Sequence, residues 1–501
     1  MEENTKIIQS ERNRFRSSFV ATILFSGVQI YQILIRVVKS KFIALYIGPA
    51  GMGVQSLLQS TTDTISAATN LGINTSSVKT IAAAYRDGKS ELIAKNVTVQ
   101  RRLIWITGLV GLFICAVLAP MWSRVSFGTS EYVWPFVMVS MIVLFDQLNK
   151  GELALMQGML RKKDLAKANV IGQSFNAVIT IPLYYFLGIK AIVAALVLGS
   201  LISLIISFTF SRKIEVAKVS ISWRETISIG REMINLGFFL SLQYVLQTLV
   251  MLVVRNYVSN VGGVEEVGLF SAGTAIVTTY IGLIFTAIAT DYYPRLAGIQ
   301  SKDEMQSAVN VQAELTILLL APLVVAFIVF SKPAIILLYS SKFLPIEDMM
   351  YWSIGAVLLQ ALGWAVSYVI LAKAKPLYFF LNELFYNIWG LPIKILCYKY
   401  WGLTGLGMAT MFTYALYLVQ VLVVAKKIFD ISYRIEMWRR LIVLYIPVVA
   451  VVLFKYFFPK TSGYIAGSFV LVLLALLVLL RLNRIMDFKS YLKERKQVRG
   501  C

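Results

Sequence analysis

Nearly the whole chain divides into apolar stretches of about 20 residues separated by short polar segments, a period that matches one helical crossing of a bilayer. The pattern predicts fourteen spans: Ser18–Ile47, Ala50–Ile73, Leu103–Trp122, Tyr132–Leu155, Ala168–Leu187, Ala191–Phe210, Ile234–Val258, Val267–Thr290, Ala308–Phe330, Met350–Leu371, Leu377–Cys397, Leu403–Val424, Leu441–Phe458 and Tyr464–Leu480. The expected fold class is an all-α polytopic membrane protein. Segments between spans are too short for an extramembrane catalytic domain. The first span is too long and too polar for a signal-peptide core and should stay in place as a membrane helix.

Charge gives the stretches a direction. With both termini on the cytoplasmic side, 35 of the 48 Lys and Arg fall on inner segments, seven on outer loops (counting Lys455 at the outer end of its span) and six within spans. That asymmetry is the positive-inside pattern. The formal charge of +22 is therefore spread over many loops and does not make a nucleic-acid surface. Histidine is absent, which removes the commonest metal ligand. Cys115, Cys397 and Cys501 form no CxxC pair, so neither a zinc site nor a disulfide framework is expected.

The chain also repeats. Gly48–Gly53 is answered by Gly262–Gly268 at an offset of 215, Asn96-Val97 by Asn310-Val311 at 214, and Gly188 by Gly402 at 214. The organisation this implies is a polar tail at 1–17, a six-helix bundle at 18–211, a linker at 212–233 and a second six-helix bundle at 234–426. Two additional helices at 427–481 and a basic tail at 482–501 follow. Parallel repeats of this kind bind substrate between their halves.

Polar residues inside the spans fall on stripes. Ser26, Gln29, Gln32, Arg36 and Lys39 are spaced by three or four residues, as are Gln55, Gln59, Asp63, Ser66 and Asn70. Asp146 and Lys150 lie one turn apart, and Gln243, Gln247 and Arg255 are in register. A helix facing lipid cannot carry such stripes. They predict a hydrated cavity in which Arg36, Lys39, Lys41, Lys150 and Arg255 attract an anion, with Gln29, Gln32 and Gln59 as polar lining. Asp63, Asp146 and Glu383 would tune the charge or take a coupling ion. The plainer alternatives are an internal Asp146–Lys150 salt bridge, snorkelling of Lys39 and Lys41 to the outer interface, and an interfacial Glu383. Pro182 and Pro392 can kink their helices, and Gly402, Gly405 and Gly407 permit close packing. No phosphate-binding loop, HExxH or nucleophile elbow occurs, so neither ATP hydrolysis nor metal hydrolysis is indicated, and a gradient or the membrane potential must drive transport.

Four blocks carry a resemblance: Ile47–Gly53, Glu266-Val267-Gly268, Ser341-Lys342-Phe343 through Asp348, and Tyr368–Ala374 followed by Glu383. Over about residues 18–426 the chain resembles the O-antigen translocases, lipid-linked oligosaccharide flippases of the multidrug/oligosaccharidyl-lipid/polysaccharide exporter superfamily, and especially the enterobacterial common antigen branch. The resemblance implies two six-helix bundles around a central cavity and flipping of an undecaprenyl-pyrophosphate-linked oligosaccharide by alternating access, from the cytoplasmic to the periplasmic leaflet of a bacterial inner membrane. It implies basic residues at Lys41 and Arg255 and an acid at Glu383. It also implies membrane lipids, a polysaccharide polymerase and a chain-length regulator as partners, no cofactor, and coupling to a proton or sodium gradient or to the membrane potential. A drug/cation antiporter of the same superfamily and a peptidoglycan-precursor flippase are the competing readings. A polymerase or ligase would need a larger outer loop than Ser331–Met349.

Overall fold

In the computed structural model, residues 2–486 are described apart from positions 218, 374, 375 and 459; side chains are described from Tyr31 onward, with a few further interior exceptions. The described chain is helical: α1 (Glu2–Asn70), α2 (Ile73–Arg86), α3 (Ser90–Val117), α4 (Ala119–Phe127), α5 (Val133–Gly158), α6 (Lys162–Leu187), α7 (Ile192–Ser211), α8 (Trp223–Gly262), α9 (Val264–Ala275), α10 (Gly282–Gly298), α11 (Lys302–Val329), α12 (Ser331–Leu338), α13 (Glu347–Ala372), α14 (Pro376–Phe429), α15 (Ile435–Phe457) and α16 (Lys460–Met486). A π-helical segment, Ile276–Ile281, joins α9 to α10. Helix is what an apolar environment demands, because it satisfies every backbone donor and acceptor within one segment.

Among the described residues, seven stretches are long and apolar enough to cross a bilayer. Two of them, 162–211 and 377–429, run for 50 and 53 residues, more than twice one crossing. Each turns at a glycine. Gly188 (φ 55°, ψ −133°) separates α6 from α7, and Gly402 (φ 55°, ψ −139°) bends α14. Gly48 (φ 64°, ψ −171°) bends α1, and Gly263 (φ 89°, ψ 169°) precedes α9. The glycines aligned by the 214–215 offset thus share nearly the same backbone geometry, in a region essentially closed to residues with a Cβ. A Cβ at Gly188 or Gly402 would meet no atom within 4 Å, so the restriction there is conformational rather than steric. Gly188→Ala and Gly402→Ala should each cost about 1–3 kcal/mol. Thermal unfolding of the purified variants checks this, and a melting temperature equal to wild type for both would remove the argument.

Three local features differ from the apolar pattern. Helix begins at Glu2, so the polar stretch before Ser18 is helical too. The segment after Asn70 contains α2, whose Ile73, Ile81 and Ala84 are buried although it is too short to span. The segment 331–349 is ordered into α12 and a 3₁₀ turn, Ser341–Ile346.

The chain separates into two compact units, Met1–Asn256 and Tyr257–Cys501, dividing within α8. The first part of α8 is held in the first unit by a backbone crossing. A Cβ on Gly72 would lie 2.6 Å from the Gly237 carbonyl oxygen, and one on Gly237 would lie 2.5 Å from that of Gly72. Arg102 on α3 ties the preceding segment by donating to the Ile221 carbonyl (2.9 Å) and to Thr226 Oγ1 (2.8 Å). In the second unit, α15 and α16 dock on α11 through Glu314, which accepts from both Arg440 and Arg481. Toward the other end of α15, Lys455 Nζ donates to Ser331 Oγ (2.5 Å), Glu347 Oε1 (3.1 Å) and Tyr351 Oη (3.1 Å).

Candidate functional site

The first unit builds its charged site by pinning α5 between α1 and α3. Gln147 is fully buried; its Nε2 donates to Thr69 Oγ1 on α1 (2.7 Å) and its Oε1 accepts from Thr107 Oγ1 on α3 (2.8 Å). Gly108 and Gly111 let the helices approach, since a Cβ on either would fall within 3 Å of α5 side chains. Asp146 and Lys150 flank Gln147 on α5, and Asp63 lies on α1 six residues before Thr69. The hydroxyls around Asp63 are already engaged: Ser60 donates to the Ser56 carbonyl (2.6 Å), Thr61 to Leu57 (3.1 Å) and Thr64 to Ser60 (2.8 Å). Ser60 Oγ therefore turns a lone pair outward, and Arg255 Nη1 on α8 donates to it.

Asp63, Asp146, Lys150 and Arg255 form one electrostatic group. Lys150 and Arg255 act on Asp63, and Lys150 and Asp63 act on Asp146. None of the four is in a direct ion pair among the described residues. The internal Asp146–Lys150 bridge is not formed, and the charges act through space in a weakly screening interior. Arg255 Nε is sealed from solvent and has no hydrogen-bond partner. A guanidinium beside an exposed lysine and a half-buried carboxylate is suited to hold an anion whose charge it alone does not balance.

The other candidates lie elsewhere. Lys39 Nζ donates to Asn176 Oδ1 on α6 (2.5 Å), and Tyr31 bonds Ser174 on the same helix (2.9 Å). Part of the α1 stripe thus attaches α1 to α6. Gln55 continues that attachment by accepting from Tyr184 (3.3 Å). Arg36 and Gln59 are exposed, while Gln32 and Lys41 are half-buried. Gln29 lies outside the residues whose side chains are described. In the second unit, Glu383 Oε1 accepts from Tyr417 (2.9 Å), with the Tyr386 ring 5.2 Å from that of Tyr417 and 5.9 Å from that of Tyr414. Glu383 is half-buried and bonded to Tyr417, which itself packs on Tyr386. A small cavity lined by Phe285, Tyr292, Trp364 and Tyr368 holds none of the candidate residues.

The structure also sorts the remaining acids within spans. Glu152 is bidentate to Arg101 (3.2 and 3.0 Å), and Glu314 is shared by two arginines. Both are structural pairs, which leaves Asp63, Asp146 and Glu383 as in-span acids without a direct ion pair among the described residues. Ser60, Asn176 and the three tyrosines escaped sequence reasoning, because a single hydroxyl or amide in an apolar helix carries no periodic signal. A sixth in-span cation, Lys394 on α14, belongs to no polar stripe.

Residues 42–348 match the polysaccharide biosynthesis protein family. The lipid III flippase of Escherichia coli (strain K12) is 22% identical over 397 residues, spanning 75% of this chain and 90% of that protein; the lipid III flippase of Shigella flexneri gives the same values. Among solved structures, the lipid II flippase MurJ in an inward closed conformation superposes with a TM-score of 0.68 at 13% identity, covering 94% of this chain and all of that one. A multidrug resistance MATE family transporter of the MOP superfamily, in an inward-facing conformation, gives 0.66 at 16% identity, covering 82% of this chain and 99% of that one. The two structures establish a shared fold. With more than half of its length inside the family match, this chain belongs to the polysaccharide biosynthesis protein family.

Proposed function

We propose that the protein is a flippase that moves an undecaprenyl-pyrophosphate-linked oligosaccharide, an O-antigen or related surface-polysaccharide repeat unit, from the cytoplasmic to the periplasmic leaflet of a bacterial inner membrane, with both termini cytoplasmic. The observation that carries this reading is the group of Asp63, Asp146, Lys150 and Arg255, in which neither cation is closed off by an ion pair. A diphosphate diester carries two charges that cannot cross hydrocarbon bare, and Arg255 with Lys150 supplies the compensation. Asp63 and Asp146 hold those cations in place while the site is empty and keep the binding weak enough for release. Glutamine side chains such as Gln59 suit sugar hydroxyls. Arg36, Lys39 and Lys41 belong to the approach along α1 in this reading, and Glu383 is the coupling acid that takes a proton or sodium ion. A polymerase and a chain-length regulator would use the flipped product.

The second reading, a drug/cation antiporter, is favoured by one feature: Glu383, a carboxylate bonded to Tyr417 with the Tyr386 ring beside that tyrosine, which suits a cationic substrate. Reconstitution distinguishes the two. In proteoliposomes, the flippase moves a fluorescent undecaprenyl-diphosphate oligosaccharide, and Glu383→Gln abolishes stimulation by an imposed ion gradient while leaving basal flipping. Uptake of an organic cation with no movement of the lipid would establish the antiporter instead.

A further inference from the structure

Lys394 lies on the first arm of α14, before the bend at Gly402. The exposed apolar stripe of that arm is Phe385, Ile388, Trp389 and Leu396. At 100° per residue, Glu383 and Lys394 point the opposite way, on the interior face, about 16 Å apart along the axis. Lys394 is half-buried there, and among the described residues it makes neither a hydrogen bond nor an ion pair. Lys394 Nζ is also absent from the sealed, unpartnered atoms that include Arg255 Nε, so the ammonium keeps an open side.

Lys455 makes the contrast. Where the fold uses a lysine to join helices, it surrounds the ammonium with Ser331, Glu347 and Tyr351 and places it 5.1 Å from the Tyr351 ring centre. An interior cation with no such provision is a net cost to folding, since nothing offsets its desolvation. A cation of that kind persists when something outside the chain pairs with it.

We propose that Lys394 is a second anion-binding station, in the second unit, for a phosphate-bearing lipid headgroup. This rests on the flippase reading and deepens it. Lys394 lies eight residues before the bend at Gly402, so by the charge pattern it is in the outer half of its span and would hold the diphosphate late in transfer. The test uses the full chain in nanodiscs of zwitterionic lipid, with undecaprenyl diphosphate titrated and binding followed by native mass spectrometry. Lys394→Gln should weaken binding about tenfold and Lys394→Arg should restore most of it, as expected for a charge-assisted contact. Phosphatidylglycerol should not compete. Lys394→Met should melt at the same temperature as wild type or higher while flipping slows. A wild type that binds no diphosphate lipid defeats the flippase reading itself. A wild type that binds, with Lys394→Gln equal to it in binding and flipping, defeats only the second station. Equal competition by phosphatidylglycerol would make Lys394 a site for bulk lipid and overturn the proposal. So would a Lys394→Met variant that melts several degrees lower, because the lysine would then be structural.

Discussion

Arg255→Ala is expected to abolish lipid flipping while the protein remains folded in the membrane. Arg255 donates to Ser60 and keeps a second, sealed donor unused. Removing a buried charge that pairs with a ligand anion costs about 2–5 kcal/mol, which corresponds to a loss of about thirtyfold or more. Arg255→Lys keeps the charge but loses the planar fork, so it should retain partial activity. Asp63→Asn should weaken the hold on Arg255 in the empty site without removing the anion's partner, and should bind substrate at least as tightly as wild type. Single-turnover flipping in proteoliposomes, normalised to protein content, measures all three. If Arg255→Ala flips at the wild-type rate, the cationic-site reading is wrong.

A large effect on stability should come from Gly72 and Gly237. Each would place a new Cβ within 2.6 Å of the other's carbonyl oxygen, and backbone cannot rotate away as a side chain can. Gly237→Ala should therefore lower stability by about 1–3 kcal/mol through overpacking. Gly72 is in addition left-handed, with φ 75°, which adds about 1–2 kcal/mol for any residue with a Cβ. Gly72→Ala should be the worse of the two. Gly355→Ala is the control, because a Cβ there meets nothing within 4 Å and helix propensity improves. Melting temperatures in detergent should rank Gly355→Ala at or above wild type, then Gly237→Ala, then Gly72→Ala. A Gly237→Ala protein as stable as the control would mean that the crossing is not tight in solution. Because this crossing holds the first part of α8 against the end of α1, the same variants should also slow flipping.

The in-span polar residues illustrate how far spacing reaches. A three-and-four periodicity in α1 marked a polar face, one member of which, Lys39, attaches α1 to α6. It could not distinguish a residue that attaches one helix to another from one that faces open space. Lys39 and Arg36 are three residues apart on that stripe, yet Lys39 is held by Asn176, 137 residues away, and Arg36 is exposed. Among the acids, Glu152 and Glu314 read like Asp63 and Asp146 in sequence. Their arginine partners come from α3, α15 and α16, and nothing local announces them.

By itself the sequence determined the helical class, the apolar segments and the repeated glycines between them. These depend on local composition and on backbone freedom at single residues, both of which are written in consecutive positions. Only tertiary structure decided which charges are neutralised, that Arg255 meets Ser60 across 195 positions, and that Lys394 has no partner among the described residues. Ion pairing inside a membrane protein is a matter of distance in a weakly screening medium, and distance between helices is set by packing, not by spacing along the chain.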